Sequence, residues 1–138
     1  MPPLYLFDMK CPCHSGKKYA NCCEPYHLKK ELPERPEQLM RSRYSAYALN
    51  LPDYIIWTTH PKSPLYEKNE TTWKKSIAAF SATTQFEDLI IEEATENTVT
   101  FHAILSLQGK DVSFREKSLF EKYEGRWCYT SPLETTRC

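Results

Sequence analysis

Residues 86–132 read "FEDLIIEEATENTVTFHAILSLQGKDVSFREKSLFEKYEGRWCYTSP". Apolar residues recur there at every second position, the period of a strand with one buried face. Val99, Phe101, Ala103, Leu105 and Leu107 share one face, and Phe114, Glu116, Ser118 and Phe120 share a face of the next run. Turn chemistry separates the runs at Glu96-Asn97, at Gln108-Gly109-Lys110-Asp111 and at Tyr123-Glu124-Gly125. A last run carries Trp127, then Cys128 and Tyr129. The stretch predicts an antiparallel meander of about four strands.

Upstream the period lengthens. "RPEQLMRSRYSAYALN", residues 35–50, predicts a helix with Pro36 at its first position and Glu37 in its first turn. Met40, Tyr44, Tyr47 and Leu51 form one stripe, with core packing the first reading of the tyrosines. Arg43 sits at the edge of that stripe, and Arg41 lies beyond Ala48 on the other side. "DYIIWTTHP", residues 53–61, predicts a short second helix broken by Pro61. "NETTWKKSIAAFSATT", residues 69–84, predicts a third, with Thr71 or Thr72 near its start and Trp73, Ile77 and Phe80 inward. Three helices followed by a meander place the chain in the α+β class, with the helices packed on a curved sheet.

The totals narrow the function. The chain has 138 residues, enough for one domain with a small appendage and a core that needs no staples. Eighteen basic residues balance eighteen acidic ones, so a global field for nucleic acid is absent. No run has the length of a membrane span, and the first ten residues lack the charged start and cleavage site of a signal peptide. A cytoplasmic location is expected, where clustered thiols bind metal more often than they oxidise. Three glycines leave little material for a phosphate-cradling loop.

"CPCHSGKKYANCC" spans residues 11–23 and holds four of the six cysteines. Two close pairs joined by a short loop suit tetrahedral zinc (Zn2+). The preferred ligands are Cys11, Cys13, Cys22 and Cys23. Sets in which His27 or His14 replaces Cys23 compete with it. Ser15-Gly16 marks a tight turn, and Lys17 and Lys18 bring positive charge to a site that four thiolates would leave negative. Tyr19 is placed to pack beneath it. Residues 24–34 read as a proline-punctuated connector, which divides the chain into a module at 1–30 and a domain at 31–138. Cys128 reads as a small buried hydrophobe and Cys138 as an exposed terminal thiol.

This stretch resembles the SEC-C motif, named for the zinc-binding tail of the translocase ATPase SecA. Cys11-Pro12-Cys13, Ser15 to Tyr19 and Cys22-Cys23 carry the likeness. His14 departs from it, standing where the motif usually has glycine. "LMRSRYSAY" with the later "TTHP" and "EGRWCY" resembles the YchJ family of uncharacterised bacterial proteins. That resemblance implies a nuclear transport factor 2-like domain, a cone of helices and bent sheet around a pocket. Relatives commonly carry His beside the glutamate of the third strand, where this chain has Arg115.

In such a cone the expected lining is Arg43, Tyr44, Tyr47, Trp57, His60, Glu116, Ser118 and Trp127. Glu116, between Phe114 and Phe120, calls for a partner, with Arg41 or Arg43 expected to supply it. The first functional expectation is a non-enzymatic binding module that presents Lys17, Lys18 and Tyr19 to a protein partner. By analogy with the SecA tail, that partner is a chaperone or the ribosome. The alternative is a small ligand, or chemistry, in the cone around Glu116, with His60 or Tyr44 assisting it. Nucleic acid ranks last.

Overall fold

The computed structural model describes residues 8–137; the apolar amino-terminal patch and Cys138 lie outside the described residues. A short 3-10 turn (Tyr19–Asn21) leads into helix α1 (Glu24–His27), then α2 (Pro36–Ala48), α3 (Pro52–Trp57) and α4 (Glu70–Thr83). The sheet follows as β1 (Thr84–Ala94), β2 (Thr98–Leu107), the two-residue β3 (Lys110–Asp111), β4 (Phe114–Tyr123) and β5 (Arg126–Arg137). Every pairing is antiparallel, in the order β1-β2-β4-β5, with β3 on β2. The four long strands and the three longer helices are those the sequence predicts. The extra turn, α1, lies in the expected connector: Pro25 starts it, and left-handed Lys29, at φ 60°, stops it.

Local chemistry explains the boundaries. The Gln38 side chain accepts from the backbone N–H of Arg35 at 3.0 Å and of Glu34 at 2.8 Å, capping α2 ahead of Pro36. Asn69 caps α4 by accepting from the Thr72 N–H at 3.0 Å. Glu124 and Gly125, at φ 50° and 81°, give the tight β4–β5 hairpin two successive left-handed residues.

The sheet bends because its register slips. Shifts fall between Phe86 and Asp88 and between Ile91 and Glu93 on β1, and twice along the β4–β5 pair. Each slip is a bulge that kinks its strand and raises the twist. The concave face that results carries Val99, Phe101, Ala103, Leu105 and Phe120, and Leu39, Met40 and Tyr44 of α2 pack against it. A second cluster, Ala46, Tyr54, Ile55, Trp73 and Ile77, joins α2 to α3 and α4.

The chain after α3 closes one edge of the sheet. His60 N–H donates to the Tyr129 carbonyl, and Tyr129 N–H to the Thr58 carbonyl, both at 2.8 Å. β5 is thereby covered at Tyr129, and an uncovered edge would be a template for pairing with other chains.

Phe120 is fully buried between sheet and helix. Phe120→Ala is expected to destabilise the fold by roughly 3–5 kcal/mol. Urea unfolding should show a lower midpoint at an unchanged slope.

Candidate metal centre and cavity

The metal centre is a miniature hairpin. Lys10 and Lys18 form an antiparallel bridge, and Cys11 N–H donates to the Lys17 carbonyl at 2.8 Å. His14 and Gly16 turn the chain with φ 62° and 86°. The fold brings Cys11, Cys13, Cys22 and Cys23 together with all four sulfurs within 4.8 Å of one another. Sγ of Cys13 lies 3.5 Å from Cys22, and Sγ of Cys22 lies 3.9 Å from Cys23. A tetrahedron with metal–sulfur bonds of about 2.3 Å has edges of about 3.8 Å, so these residues fit a metal ion.

The thiols divide their protons unevenly. Hydrogen bonding to Cys11 draws Cys13 down and brings Cys22 down to about 6. Bonding to Cys13 pushes Cys11 up, and bonding to Cys11 pushes Cys23 up. A divalent cation would stabilise all four thiolates together.

Both histidines are engaged elsewhere. His27 accepts from the Tyr19 hydroxyl at Nδ1, 2.6 Å, and donates from Nε2 to the Ser42 carbonyl at 2.8 Å. That pairing sets its tautomer, and burial holds its pKa below the usual range. His14 donates from Nε2 to the Phe86 carbonyl at 3.0 Å. The Arg41 guanidinium donates to the Cys13 carbonyl at 2.9 Å. The hairpin is thus pinned to α2 by Arg41 and His27 and to β1 by His14. Lys17 and Lys18 are exposed, with Lys18 3.1 Å from Asp8. Tyr19 is half-buried, its hydroxyl committed to His27.

A cavity of about 380 Å³ opens between α2, α4 and the concave face of the sheet. Of the expected lining it receives Arg43, Tyr44, Tyr47 and Glu116. The other four lie elsewhere. Ser118 is buried behind the wall and donates to Glu116. Trp57 is half-buried against the second apolar cluster and lines a separate cavity with Tyr123 and Arg126, and the Lys29 ammonium and the Arg126 guanidinium each stand 4.5 Å from its ring centroid. His60 follows the edge pairing, with Nδ1 accepting from Lys62 N–H at 3.1 Å and its ring against Tyr123. Trp127 sits by the start of α2, donating to the Glu34 carbonyl at 3.0 Å.

The expected arginine–glutamate pair is replaced by two separate anchorages. Arg43 is buried and donates from Nη1 to the Ile55 carbonyl and to the hydroxyls of Thr58 and Thr59. Its guanidinium carbon stands 4.9 Å from the Tyr129 ring centroid. Glu116 accepts at Oε2 from Ser118 and, at 3.1 Å, from the Tyr129 hydroxyl. The ring of Tyr129 therefore stands between the two charges. Sequence reading missed Tyr129, because the bulges of β5 obscure its face. It also missed Phe86, which the helix-to-strand junction aims into the cavity.

Comparison with known proteins agrees with this geometry. A family model described as YchJ, middle NTF2-like domain, matches residues 35–132. The chain belongs to the YchJ family. A second model, the SEC-C motif, matches residues 10–25. A UPF0225 protein of Sodalis glossinidius is 39% identical over 127 residues, covering 86% of this chain and 79% of the relative. One from Deinococcus radiodurans is 38% identical over 127 residues, covering 90% and 88%. Among solved structures, a SEC-C motif containing protein from Rhodopseudomonas palustris has a TM-score of 0.73 at 33% identity, covering 94% of this chain and 99% of that one. A sec-c motif containing protein from Psychrobacter arcticus shares the fold, with a TM-score of 0.72 at 24% identity over 96% of this chain and 86% of that one. Among the described residues no helix is long and apolar enough to cross a membrane.

If the four sulfurs are the ligands, Cys13→Ser abolishes stoichiometric metal, while His14→Gly and His27→Ala retain it. His27→Ala should still destabilise the fold by about 1–3 kcal/mol, because it leaves buried partners unpaired. Elemental analysis and urea unfolding of the purified variants check both statements.

Proposed function

We propose that the four cysteines hold a zinc ion whose role is structural, and that the knuckle it fixes is a non-enzymatic binding element for a protein partner. The donor set supports this reading. Cys11, Cys13 and Cys23 are buried, and four thiolates complete a tetrahedron with no position left for substrate. Catalytic zinc sites keep one position open. Sulfur donors in this geometry favour zinc or iron over harder ions. A reducing compartment, the cytoplasm, keeps such thiols available.

The hairpin has almost no apolar core beyond its cysteines and Tyr19, so its shape depends on the metal. Its sulfurs turn inward, while Lys17 and Lys18 turn outward. A cationic tip on a rigid mount suits an acidic partner surface and fast, salt-sensitive encounter. By analogy with the SecA tail, the partner is a chaperone or the ribosome. Tyr19 would support the tip from beneath through His27 rather than reach the partner.

The test is cosedimentation of the metal-loaded chain with purified ribosomes. Wild type should pellet with them at low salt, and a Lys17→Glu/Lys18→Glu double variant should stay in the supernatant with its metal intact. Equal pelleting of the two proteins would exclude the lysine tip as the contact. Failure of both to pellet would exclude the ribosome.

A further inference from the structure

The cavity wall carries two charges, those of Arg43 and Glu116, that meet no opposite charge among the described residues. Among the described residues, neither Arg43 nor Glu116 takes part in a salt bridge. The hydrogen-bond partners of Arg43 are two threonine hydroxyls and a carbonyl, all neutral. Those of Glu116 are the hydroxyls of Ser118, Tyr129 and Thr135, the last at 3.5 Å. Both charges belong to the wall of the same cavity. An arrangement built only for stability would let them meet, since Arg43 is buried and a buried charge without a counter-charge is costly. Here Tyr129 holds them apart: its face carries Arg43 and its hydroxyl carries Glu116.

The remaining polar capacity of the wall is small. Tyr44 donates to the Asp88 carbonyl at 2.9 Å, and Ser76 to the Trp73 carbonyl at 2.8 Å. What remains is a cationic donor, an anionic acceptor, the Tyr47 hydroxyl and apolar walls. We propose that this cavity binds a small zwitterion with an apolar body, of the α-amino-acid type. Its carboxylate lies on Arg43, its ammonium on Glu116, and its side chain against Phe80, Phe86 and Phe101.

Charge decides among ligand classes. A simple carboxylate would meet Arg43 but bring a like charge toward Glu116, and a simple amine would do the reverse. A neutral apolar molecule would strip water from both charges and return nothing to them. Only a ligand carrying both signs compensates both. The volume, about 380 Å³, is near the lower end of the usual pocket range of roughly 300–1,000 Å³, which suits a metabolite rather than a lipid. Both charges are already positioned from behind, Arg43 by Thr58 and Thr59 and Glu116 by Ser118, so little ordering remains for the ligand to impose.

The experiment is titration calorimetry on the full metal-loaded chain. The probes are L-phenylalanine, L-leucine, 3-phenylpropionate, which lacks the ammonium, and 2-phenylethylamine, which lacks the carboxylate. At least one amino acid should bind saturably, and each singly charged analogue at least about tenfold more weakly than L-phenylalanine, a difference of about 1.4 kcal/mol. Glu116→Gln keeps the shape of the wall and should abolish the preference for L-phenylalanine over 3-phenylpropionate. The Lys17→Glu/Lys18→Glu variant should bind as wild type does, which separates this proposal from the partner reading. Equal binding of an amino acid and its singly charged analogue would overturn the proposal, as would no saturation by either amino acid. If Glu116→Gln fails to fold, the analogue series on the wild-type chain decides alone.

Discussion

Helix α2 is buried on nearly every side, and the neighbours of its polar groups define the molecule. Leu39, Met40 and Tyr44 face the sheet, while Ala46 faces α3 and α4. Ser42 and Ser45, both 0% exposed, face the junction with the knuckle. An all-round buried helix ordinarily has an apolar sequence. This one carries serines and arginines, so each of its surfaces must be met by a partner for a polar group. Ser42 Oγ donates to the Leu39 carbonyl and lies 2.8 Å from the Tyr54 hydroxyl. The Ser42 carbonyl accepts from His27, Arg41 reaches Cys13, and Arg43 reaches the end of α3. Each of these contacts fixes a different segment on the same thirteen-residue helix.

Two stabilising regimes meet there. The sheet and helices bury two apolar clusters of ordinary kind and need no metal to do so. The knuckle has sulfur in place of a core, so its folding and its metal affinity are one quantity. The cavity adds a third demand. Charges held apart on a wall reduce stability relative to a packed apolar lining, and proteins concentrate such departures at functional sites.

Much of this was legible in the sequence because periodicity and spacing are local. The alternation in residues 98–107 and 114–123 gave the inward faces of β2 and β4, and the spacing of Cys11, Cys13, Cys22 and Cys23 gave the sulfur cluster. What remained hidden was set by long-range contact. Nothing local says that the guanidinium of Arg43 ends on threonines and a tyrosine face rather than on Glu116. Trp57 and His60 looked like pocket residues because aromatic rings and imidazoles suit pockets. The edge pairing of Thr58–His60 with Tyr129 places their backbone, and stacking on Arg126 and Tyr123 keeps the rings out of the cavity beneath α2.

His14 shows how the knuckle and the domain are tied. Its φ of 62° lies where a residue with a Cβ loses about 1–2 kcal/mol relative to the right-handed region, and where glycine would sit freely. The imidazole offsets that cost with the hydrogen bond to the Phe86 carbonyl and an edge contact to Tyr44, ring centroids 5.9 Å apart. Tyr44 and Phe86, themselves packed edge to face, are both part of the cavity wall. The turn that gathers the sulfurs and the wall that encloses the cavity therefore share contacts through one side chain. Thermodynamic linkage makes any coupling across that side chain reciprocal. To whatever extent metal binding orders the turn and so the wall, occupancy of the cavity must change the affinity for metal by the same factor.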